Sequence, residues 1–519
     1  MTLNPNDTRN GEVTVGLRVD LRSEDLCSDV GDADAELRNL RIQYRLTQDL
    51  TNSVASYMSP GARSVTVTTD ADPSPQEQQA ALNVATVAAS LFGSAATISY
   101  QPEAPAPATP ANDRVIRVAE GGSEPQIEVT DDVLTISGPP DTLTATAQAL
   151  GSDYLPIAGE PRAVNPSASF AAQFGKLTQT LEELGLAVPP LVGIGQTDLD
   201  LPVDQAQFGR PVSGFTLNLK GAVTPAVQGT GRINVLWNGE LLDSVAITDV
   251  STFASTVSVS QAQTRRGNTL TVQLEYEPSD GCRSGVLPAR FDLSPQSLIT
   301  AKAGNTEPGF LAFPQTLTNP TPMVLTGGRP VTEGLQDGVA VLAGLQSLTP
   351  RVIQPQLLDF DAFLADSRPG IAIGVGPGQD GPLQTPLRYA PFRVVDGQTQ
   401  QLSVQVAGSF AALQAYDTGE RRLIVLGGTG REAADLMAAL AQRANSADGG
   451  WGSLQSDIAV AQPSEPILFL GQTGLAVQEE KIAESSILSS GWLLVAVGFL
   501  ILALIVGIAW RFVRGKRHG

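Results

Sequence analysis

Hydrophobic and polar residues alternate along several short stretches of the middle of the chain. The alternation predicts strands at Phe215–Gly221, Arg232–Ile247 and Thr269–Pro278, because successive side chains of a strand point to opposite faces of a sheet. Asn238-Gly239 falls inside the second of these stretches and predicts a tight hairpin turn. Many short alternating strands separated by turn residues are typical of a β-sandwich or jelly roll.

Other stretches combine a strand pattern with a helical one. Ser64–Phe92 predicts a strand, a turn and then a helix. Ser74 and Glu77 have the spacing of a capping box, Pro75 suits the first helical position, and Gly93 suits the end of the helix. This segment is therefore predicted to belong to an α/β domain.

Similar segments recur in the same order along the two halves of the chain, which indicates an internal duplication. The β segments match at an offset of 257, the strand–helix segments near 258 and the last pair at 290, so the second copy has roughly 32 extra residues within Gly374–Gly419. The matched pairs are Glu12–Cys27 with Thr269–Cys282, Ser64–Phe92 with Pro322–Leu348, and Val133–Leu150 with Leu423–Leu440.

The duplication predicts β-sandwich domains alternating with α/β domains. The predicted boundaries are residues 1–52 for the remnant of a first sandwich, 53–170 for the first α/β domain, 171–305 for the second sandwich, 306–470 for the second α/β domain, 471–490 for a juxtamembrane segment, 491–511 for a transmembrane helix and 512–519 for a basic tail.

The segment Trp492–Trp510 contains no charged residue and is long enough for a helix to cross a bilayer. Trp492 and Trp510 are placed to lie at the two interfaces, and Arg511 and Arg514 follow the span. The positive-inside rule then predicts a single-pass protein of the cell membrane, with a cytoplasmic C-terminus and the bulk of the chain outside.

The amino end carries no apolar run of the kind found in a signal peptide. The first copy of the β-domain also has only ten residues before Gly11, where the second copy has about 70 before the matching Asn268. We expect that the first domain has lost its N-terminal part, together with an export signal.

Charge and histidine content exclude several functions. The net charge of −20 argues against nucleic acid as a partner, because nucleic-acid-binding surfaces are basic. His518, in the basic tail, is the only histidine, which excludes Ser-His-Asp and Cys-His nucleophile systems and His-ligated zinc sites. The histidine count thus removes most hydrolase mechanisms, and we expect no metal and no cofactor.

One glycine-rich turn raises the question of nucleotide binding. Gly428, Gly430 and Ala433 have the spacing of a dinucleotide-binding loop. In the matching segment of the first copy, however, Pro140 stands in the position of Gly430, and proline has no N–H to donate to a phosphate. The loop is therefore interpreted as a structural turn.

With its alternating domains and C-terminal anchor, the chain resembles the membrane-anchored periplasmic subunit of bacterial cellulose synthase, the regulatory or cyclic di-GMP-binding subunit. The most specific segments are Val235–Ser244 ("VLWNGELLDS") and Asn268–Cys282 ("NTLTVQLEYEPSDGC"). The resemblance implies carbohydrate-binding-like jelly rolls and flavodoxin-like α/β domains. It also implies an amphipathic helix before the anchor, for which Leu475–Leu488 is the candidate.

The resemblance implies a non-catalytic accessory subunit that binds a catalytic membrane glycosyltransferase (cellulose synthase) and guides the nascent glucan. Aromatic rings that stack on sugars are the expected contacts, and the candidates are Trp237, Tyr276, Phe215 and Trp451, with ordinary core burial as the alternative for each. Small residues of the anchor, Gly498, Ala503 and Gly507, are candidates for contact with the partner helix.

Two other functions stay open from the sequence. A membrane-anchored glycoside hydrolase would need only two suitably spaced carboxylates among the 53 acidic residues. A tail-anchored surface adhesion or solute-binding protein would need no synthase partner. Cys27 and Cys282 lie at equivalent positions in the two copies, and we expect both to be unpaired unless the domains dock.

Overall fold

The computed structural model describes residues 53–479, apart from gaps at 60–61, 94–95, 108–111, 153–157, 165, 167–175, 225–228, 248–250, 280–287, 305–307, 327, 350, 390–391, 396–400, 403–407, 447–448, 455 and 472–473. The chain divides into two compact units, residues 1–477 and 478–519, and the description that follows concerns the first. Several predicted features lie outside the described residues: the first sandwich remnant, the transmembrane helix, the basic tail, Cys27 and Cys282. Only residues 475–479 of the predicted amphipathic helix Leu475–Leu488 are described, and they lie in the strand Gly474–Glu479 rather than in a helix.

The first α/β domain consists of one six-stranded sheet and three helices. Its strands follow the order β2-β1-β3-β5-β4-β6, in which β2, β1, β3 and β5 are parallel and β4 is antiparallel to both β5 and β6. The elements are α1 (Val54–Tyr57), β1 (Ser64–Thr68), α2 (Pro75–Phe92), β2 (Thr97–Tyr100), β3 (Asp113–Glu120), β4 (Gln126–Thr130), β5 (Val133–Gly138), α3 (Pro140–Ala149) and β6 (Arg162–Val164).

Local sequence signals fix the longest helix of this domain. The Ser74 hydroxyl accepts from the Glu77 N–H, and the Glu77 carboxylate accepts from the Ser74 N–H, so the predicted capping box is confirmed. Pro75 is the first helical residue, and Gly93 ends the helix with a positive φ of 58°.

The middle of the described chain is a β-sandwich. One sheet has the order β12-β11-β14-β9, and the other has the order β7-β16-β10-β15-β8 with β13 paired to β10. The predicted hairpin turn is confirmed, since Asn238 and Gly239 have φ values of 51° and 83°. The strands are β7 (Thr178–Thr180), β8 (Leu191–Gly193), β9 (Gly195–Asp204), β10 (Val212–Val223), β11 (Gly229–Trp237), β12 (Glu240–Ala246), β13 (Thr252–Val259), β14 (Gly267–Pro278), β15 (Ala289–Leu293) and β16 (Leu298–Ala303).

The second α/β domain has an eight-stranded sheet and a separate three-stranded one. The large sheet follows β18-β17-β19-β24-β23-β25-β26-β27, and the small one follows β20-β21-β22. The elements are β17 (Thr321–Leu325), α4 (Val331–Gln346), β18 (Pro355–Leu357), α5 (Phe360–Ala365), β19 (Gly370–Val375), β20 (Leu387–Tyr389), β21 (Phe392–Val395), β22 (Gln401–Leu402), β23 (Phe410–Asp417), β24 (Arg422–Thr429), α6 (Ala433–Ala444), β25 (Ile458–Ala461), β26 (Leu468–Gly471) and β27 (Gly474–Glu479).

The first six strands of the large sheet repeat the order and directions of the first α/β sheet. The segments that match in sequence occupy equivalent positions: β1 corresponds to β17, α2 to α4, β5 to β24 and α3 to α6. The strands β20, β21 and β22 have no counterpart in the first sheet and fall inside the range predicted for the insertion.

The strand order differs from that of flavodoxin, whose sheet is wholly parallel with the order 2-1-3-4-5. In both α/β domains an antiparallel strand, β4 or β23, lies between two strands that run in the opposite direction. The flavodoxin-like prediction is therefore not confirmed, and the two domains are better described as mixed α/β sheets.

The two α/β domains share one hydrophobic core, because α2 of the first packs against α4 of the second. Leu82 of α2 lies beside Gly338 of α4, where a side chain in place of the glycine hydrogen would meet both Leu82 and Met323. The helices thus lie between the two sheets, and neither domain has a closed core of its own on that side.

Candidate functional site

The aromatic residues predicted as sugar contacts in the sandwich are buried in its core. Trp237 is 1% exposed and packs on Phe215, with 5.0 Å between ring centroids, while its indole N–H donates to the Gln263 carbonyl at 3.1 Å. Phe215 is fully buried, and Tyr276 is 4% exposed. The prediction is wrong for all three, because these side chains point to the inner face of their strands, together with Ile233, Val235 and Leu274.

Trp451 is equally inaccessible, in the second α/β domain. Its ring meets Phe310 and Phe313 edge-on at 5.5 and 6.5 Å, and its indole N–H donates to the Phe310 carbonyl at 3.2 Å. A ring that has packing partners and a satisfied N–H has no face left for a sugar, so this prediction is also wrong.

The residues predicted to anchor the chain or contact a partner helix lie outside the described residues; they are Trp492, Gly498, Ala503, Gly507, Trp510, Arg511 and Arg514. Within residues 53–479 as described, no helix has the length and apolar character needed to cross a membrane.

The glycine-rich turn before α6 has structural reasons for its glycines. Gly428 pairs with Ala411 in the β23–β24 ladder, and a Cβ there would lie 2.6 Å from the Phe410 carbonyl. Gly430 has a φ of +95° and lies close to Ser409, whose hydroxyl accepts from the Glu432 N–H at 3.1 Å. An acidic N-cap residue disfavours a phosphate at this helix end.

The outer face of the β12-β11-β14-β9 sheet presents a continuous row of polar side chains that crosses all four strands. The Ser244 hydroxyl donates to Asn234 at 2.6 Å, the Asn234 amide donates to Gln273 at 2.8 Å, and the Gln273 amide donates to Asp198 at 3.0 Å. We call Ser244, Asn234, Gln273 and Asp198 the polar ladder. With strands ~4.8 Å apart, such a row extends over about 14 Å.

The strand register explains how the ladder forms. Asn234 lies opposite Ser244 on one side and opposite Gln273 on the other, and Gln273 lies opposite Asp198. Because alternate residues point to opposite faces, these four point outward while their neighbours fill the sandwich core.

A second polar row lies beside the ladder. Arg232 and Glu275 form an exposed two-pronged ion pair with distances of 2.7 and 2.9 Å. The hydrogen bond from Arg232 holds the pKa of Glu275 below its usual value, so Glu275 is ionised at neutral pH. On the other side of the ladder, Thr271 donates to Asp200 at 2.6 Å. This face is therefore polar, ordered by its own hydrogen bonds and acidic at one edge.

The ladder can form further hydrogen bonds. A primary amide has two N–H donors and an oxygen with two lone pairs, and the hydrogen bonds of Gln273 with Asn234 and Asp198 use one N–H and one lone pair. A ligand rich in hydroxyl groups, which both donate and accept, matches such a surface. No group of three or more His, Cys, Asp or Glu side chains in the described part of the chain could hold a metal ion.

The alternation of polar and apolar residues along β14 is a sequence signal for this face, although no aromatic residue marks it. In "NTLTVQLEYEPSDGC" the residues Thr271, Gln273 and Glu275 alternate with the core residues Val272 and Leu274. The alternation identifies the outward positions, but the cross-strand partners of those positions depend on the register.

Comparison with known proteins gives no family. No protein-family model and no curated protein matches the sequence.

Solved structures that are similar to parts of the chain include the following three. The first is a CBM36-1 domain of a multidomain xylanase from the hindgut metagenome of Trinervitermes trinervoides, 16% identical, covering 23% of this chain and 87% of that one with a TM-score of 0.15. The second is a family 35 carbohydrate-binding module from an environmental isolate, 13% identical, covering 22% and 75% with a TM-score of 0.14. The third is a family two carbohydrate esterase from Clostridium thermocellum, 8% identical, covering 27% and 37% with a TM-score of 0.11. Likenesses with these TM-scores decide neither the fold nor the function.

Proposed function

We propose that this protein is a non-catalytic accessory subunit of a membrane cellulose (β-glucan) synthase, and that the polar ladder contacts the exported glucan. The observation that carries the proposal is the row of hydrogen-bonded amide, hydroxyl and carboxylate groups on the open face of a β-sandwich. Groups that hold one another in place lose little conformational entropy when they bind a ligand.

The ladder suits a guide better than a tight receptor. Among the side chains that the structure describes, no aromatic one is exposed, and Asn234 is only 7% exposed, so the accessible ladder groups are those of Ser244, Gln273 and Asp198. Each of these can contribute only modest hydrogen bonds of about 0.5–1.5 kcal/mol. Weak contacts repeated along a flat surface allow a polymer to be held and still to move.

The remaining features of the proposal rest on the sequence. The apolar segment Trp492–Trp510 would anchor the protein in the cell membrane and bring it to a catalytic glycosyltransferase through Gly498, Ala503 and Gly507. The sandwich would then lie outside the membrane, above the exit of the synthase.

The test is binding of soluble β-glucan by the purified full-length protein, measured by affinity electrophoresis. Gln273→Ala and Ser244→Ala should each weaken retention about 3- to 10-fold, as expected for the loss of one or two hydrogen bonds. The matched control is Asn218→Ala, which removes a comparable amide–hydroxyl pair with Thr256 (2.9 Å) from the outer face of the other sheet. Equal effects of all three variants, or no retention of the wild type, would contradict the proposal.

A further inference from the structure

The duplication creates two related clefts where the α/β domains meet. One, which we call the β2 cleft, lies between strand β2 of the first domain and helices α4 and α6 of the second, with a volume of about 290 Å³. The other, the β18 cleft, lies between the β18 segment of the second domain and helices α2 and α3 of the first. Each is formed by an edge strand of one copy and the helix pair of the other.

In the β18 cleft, a side chain already forms hydrogen bonds with the outward backbone groups of the edge strand. The amide of Gln79 accepts from the Leu357 N–H at 2.6 Å and donates to the Pro355 carbonyl at 2.7 Å. These are the outward groups of β18, because Leu358 and Gln354 bond inward to β17. This cleft therefore has no free strand edge to offer a ligand.

In the β2 cleft, only some of the outward backbone groups of the edge strand are hydrogen-bonded to side chains. The Asn445 amide donates to the Ile98 carbonyl at 2.8 Å, which blocks addition of an extended peptide as a further strand. Thr97 and Gln101 donate inward to the first sheet, so the register turns the backbone N–H groups of Ile98 and Tyr100 outward, toward the cleft.

Two amides at the mouth of the β2 cleft stay available. Gln336 of α4 and Gln442 of α6 are exposed, line the cleft and make no side-chain hydrogen bond to another described residue. Tyr100 and Asp337 also line the cleft, but both are buried: the Tyr100 hydroxyl is hydrogen-bonded to the Thr69 hydroxyl at 2.7 Å, and the Asp337 carboxylate accepts from Arg329 at 2.6 Å. None of the residues that line the cleft is basic, which disfavours phosphate and other anions.

We propose that the β2 cleft binds one neutral sugar ring, a hexose or the terminal residue of a short oligosaccharide. Its volume lies at the lower end of the ~300–1,000 Å³ range of small-molecule pockets, so the ligand is smaller than a typical drug. The amides of Gln336 and Gln442, together with the hydroxyls of Thr97 and Ser446, form a donor and acceptor set of the kind that a polyhydroxylated ring requires. The inference does not depend on the polar ladder and predicts a single site per chain.

The test is calorimetric titration of the full-length protein, purified without sugar-based detergent, with D-glucose and with cellobiose. Ala438→Leu on α6 places a larger side chain against the cleft and should weaken binding at least 10-fold. The matched control is Ala439→Leu, one residue away on the same helix, which is exposed and does not line the cleft. Gln442→Ala should weaken binding about 3- to 10-fold without a folding cost, because its amide bonds no described residue.

Saturable 1:1 binding that is lost in Ala438→Leu and Gln442→Ala, but kept in Ala439→Leu and in the ladder variant Gln273→Ala, would support the proposal. The proposal is overturned if neither sugar gives saturable heat with the wild type at concentrations up to about 10 mM. A Kd above that concentration would be too weak for a formed sugar site. The proposal is equally overturned if binding survives both cleft variants or is lost only in Gln273→Ala.

Discussion

At Gly430, the local backbone conformation explains the glycine better than a nucleotide-binding motif does. Its φ of +95° is one that other residues adopt at a cost, and a Cβ would approach the Ser409 side chain to 2.5 Å. In the matching position of the first domain, Pro140 is instead the first residue of α3. The two turns therefore have different backbone conformations, although their sequences align without a gap.

Gly430→Ala should destabilise the protein by more than Gly419→Ala, measured as the free energy of unfolding in urea. Both positions have a positive φ, +95° and +87°, but a Cβ at Gly419 would meet nothing within 4 Å. Backbone strain alone costs about 1–2 kcal/mol, and the clash at Gly430 should add about 1–3 kcal/mol. Equal losses would show that strain accounts for both positions.

Asp366 should contribute stability that depends on pH. Hydrogen bonds from Arg368, at 2.6 Å for the shortest, hold the pKa of Asp366 below its usual value. Since the folded-state pKa is the lower one, the contribution is complete above the unfolded-state pKa and is lost as the pH falls through the folded-state value. Asp366→Asn should cost about 1 kcal/mol at pH 7 and almost nothing at pH 2 in unfolding experiments. A difference that is constant with pH would contradict this assignment.

At the scale of elements, the strongest local signals in the sequence predicted the structure. The capping box of α2 and the Asn238-Gly239 turn depend on residues within four positions of each other, so one sequence is enough to find them. The repeated strand–helix segments were found because the duplication copied the same local signals twice.

The elements that sequence reasoning missed depend on long-range pairing. Nothing local specifies that β4 lies between β5 and β6, which made the sheets mixed rather than flavodoxin-like. Trp237 and Tyr276 are predicted as sugar contacts because of their rings, although Val235 and Leu274, two residues earlier in each strand, already indicate an inward position. The polar ladder needed the register of three strand pairs.

Gln79 should act as the connection between α2 and the edge strand β18. Gln79→Ala removes both bonds to β18 and should cost about 1–3 kcal/mol of unfolding free energy, with faster hydrogen exchange at the Leu357 amide. The control is Gln76→Ala on the same helix, whose exposed side chain makes no hydrogen bond to β18 among the described residues. If Leu357 exchanges at the same rate in both variants, Gln79 does not hold the strand.

On the scale of the whole described chain, the two α/β domains form one packed base and the sandwich provides an open face. The α/β domains share one core through α2 and α4, and the sandwich contacts the second of them through a hydrogen bond from the Arg266 side chain to the Gly452 carbonyl at 3.0 Å. A guide for a growing polymer needs such an arrangement, because a contact surface works only if it is held in a fixed place.

The most direct measurement of the central claim is photo-cross-linking in membranes that synthesise glucan from a labelled nucleotide sugar. A photoreactive residue replaces Ser244 on the polar ladder or, as the control, Thr256 on the outer face of the other sheet; both positions are exposed. The account predicts labelled glucan attached at position 244, only during synthesis, and little or none at position 256. Equal labelling at both positions, or none at position 244 while the synthase is active, would contradict it.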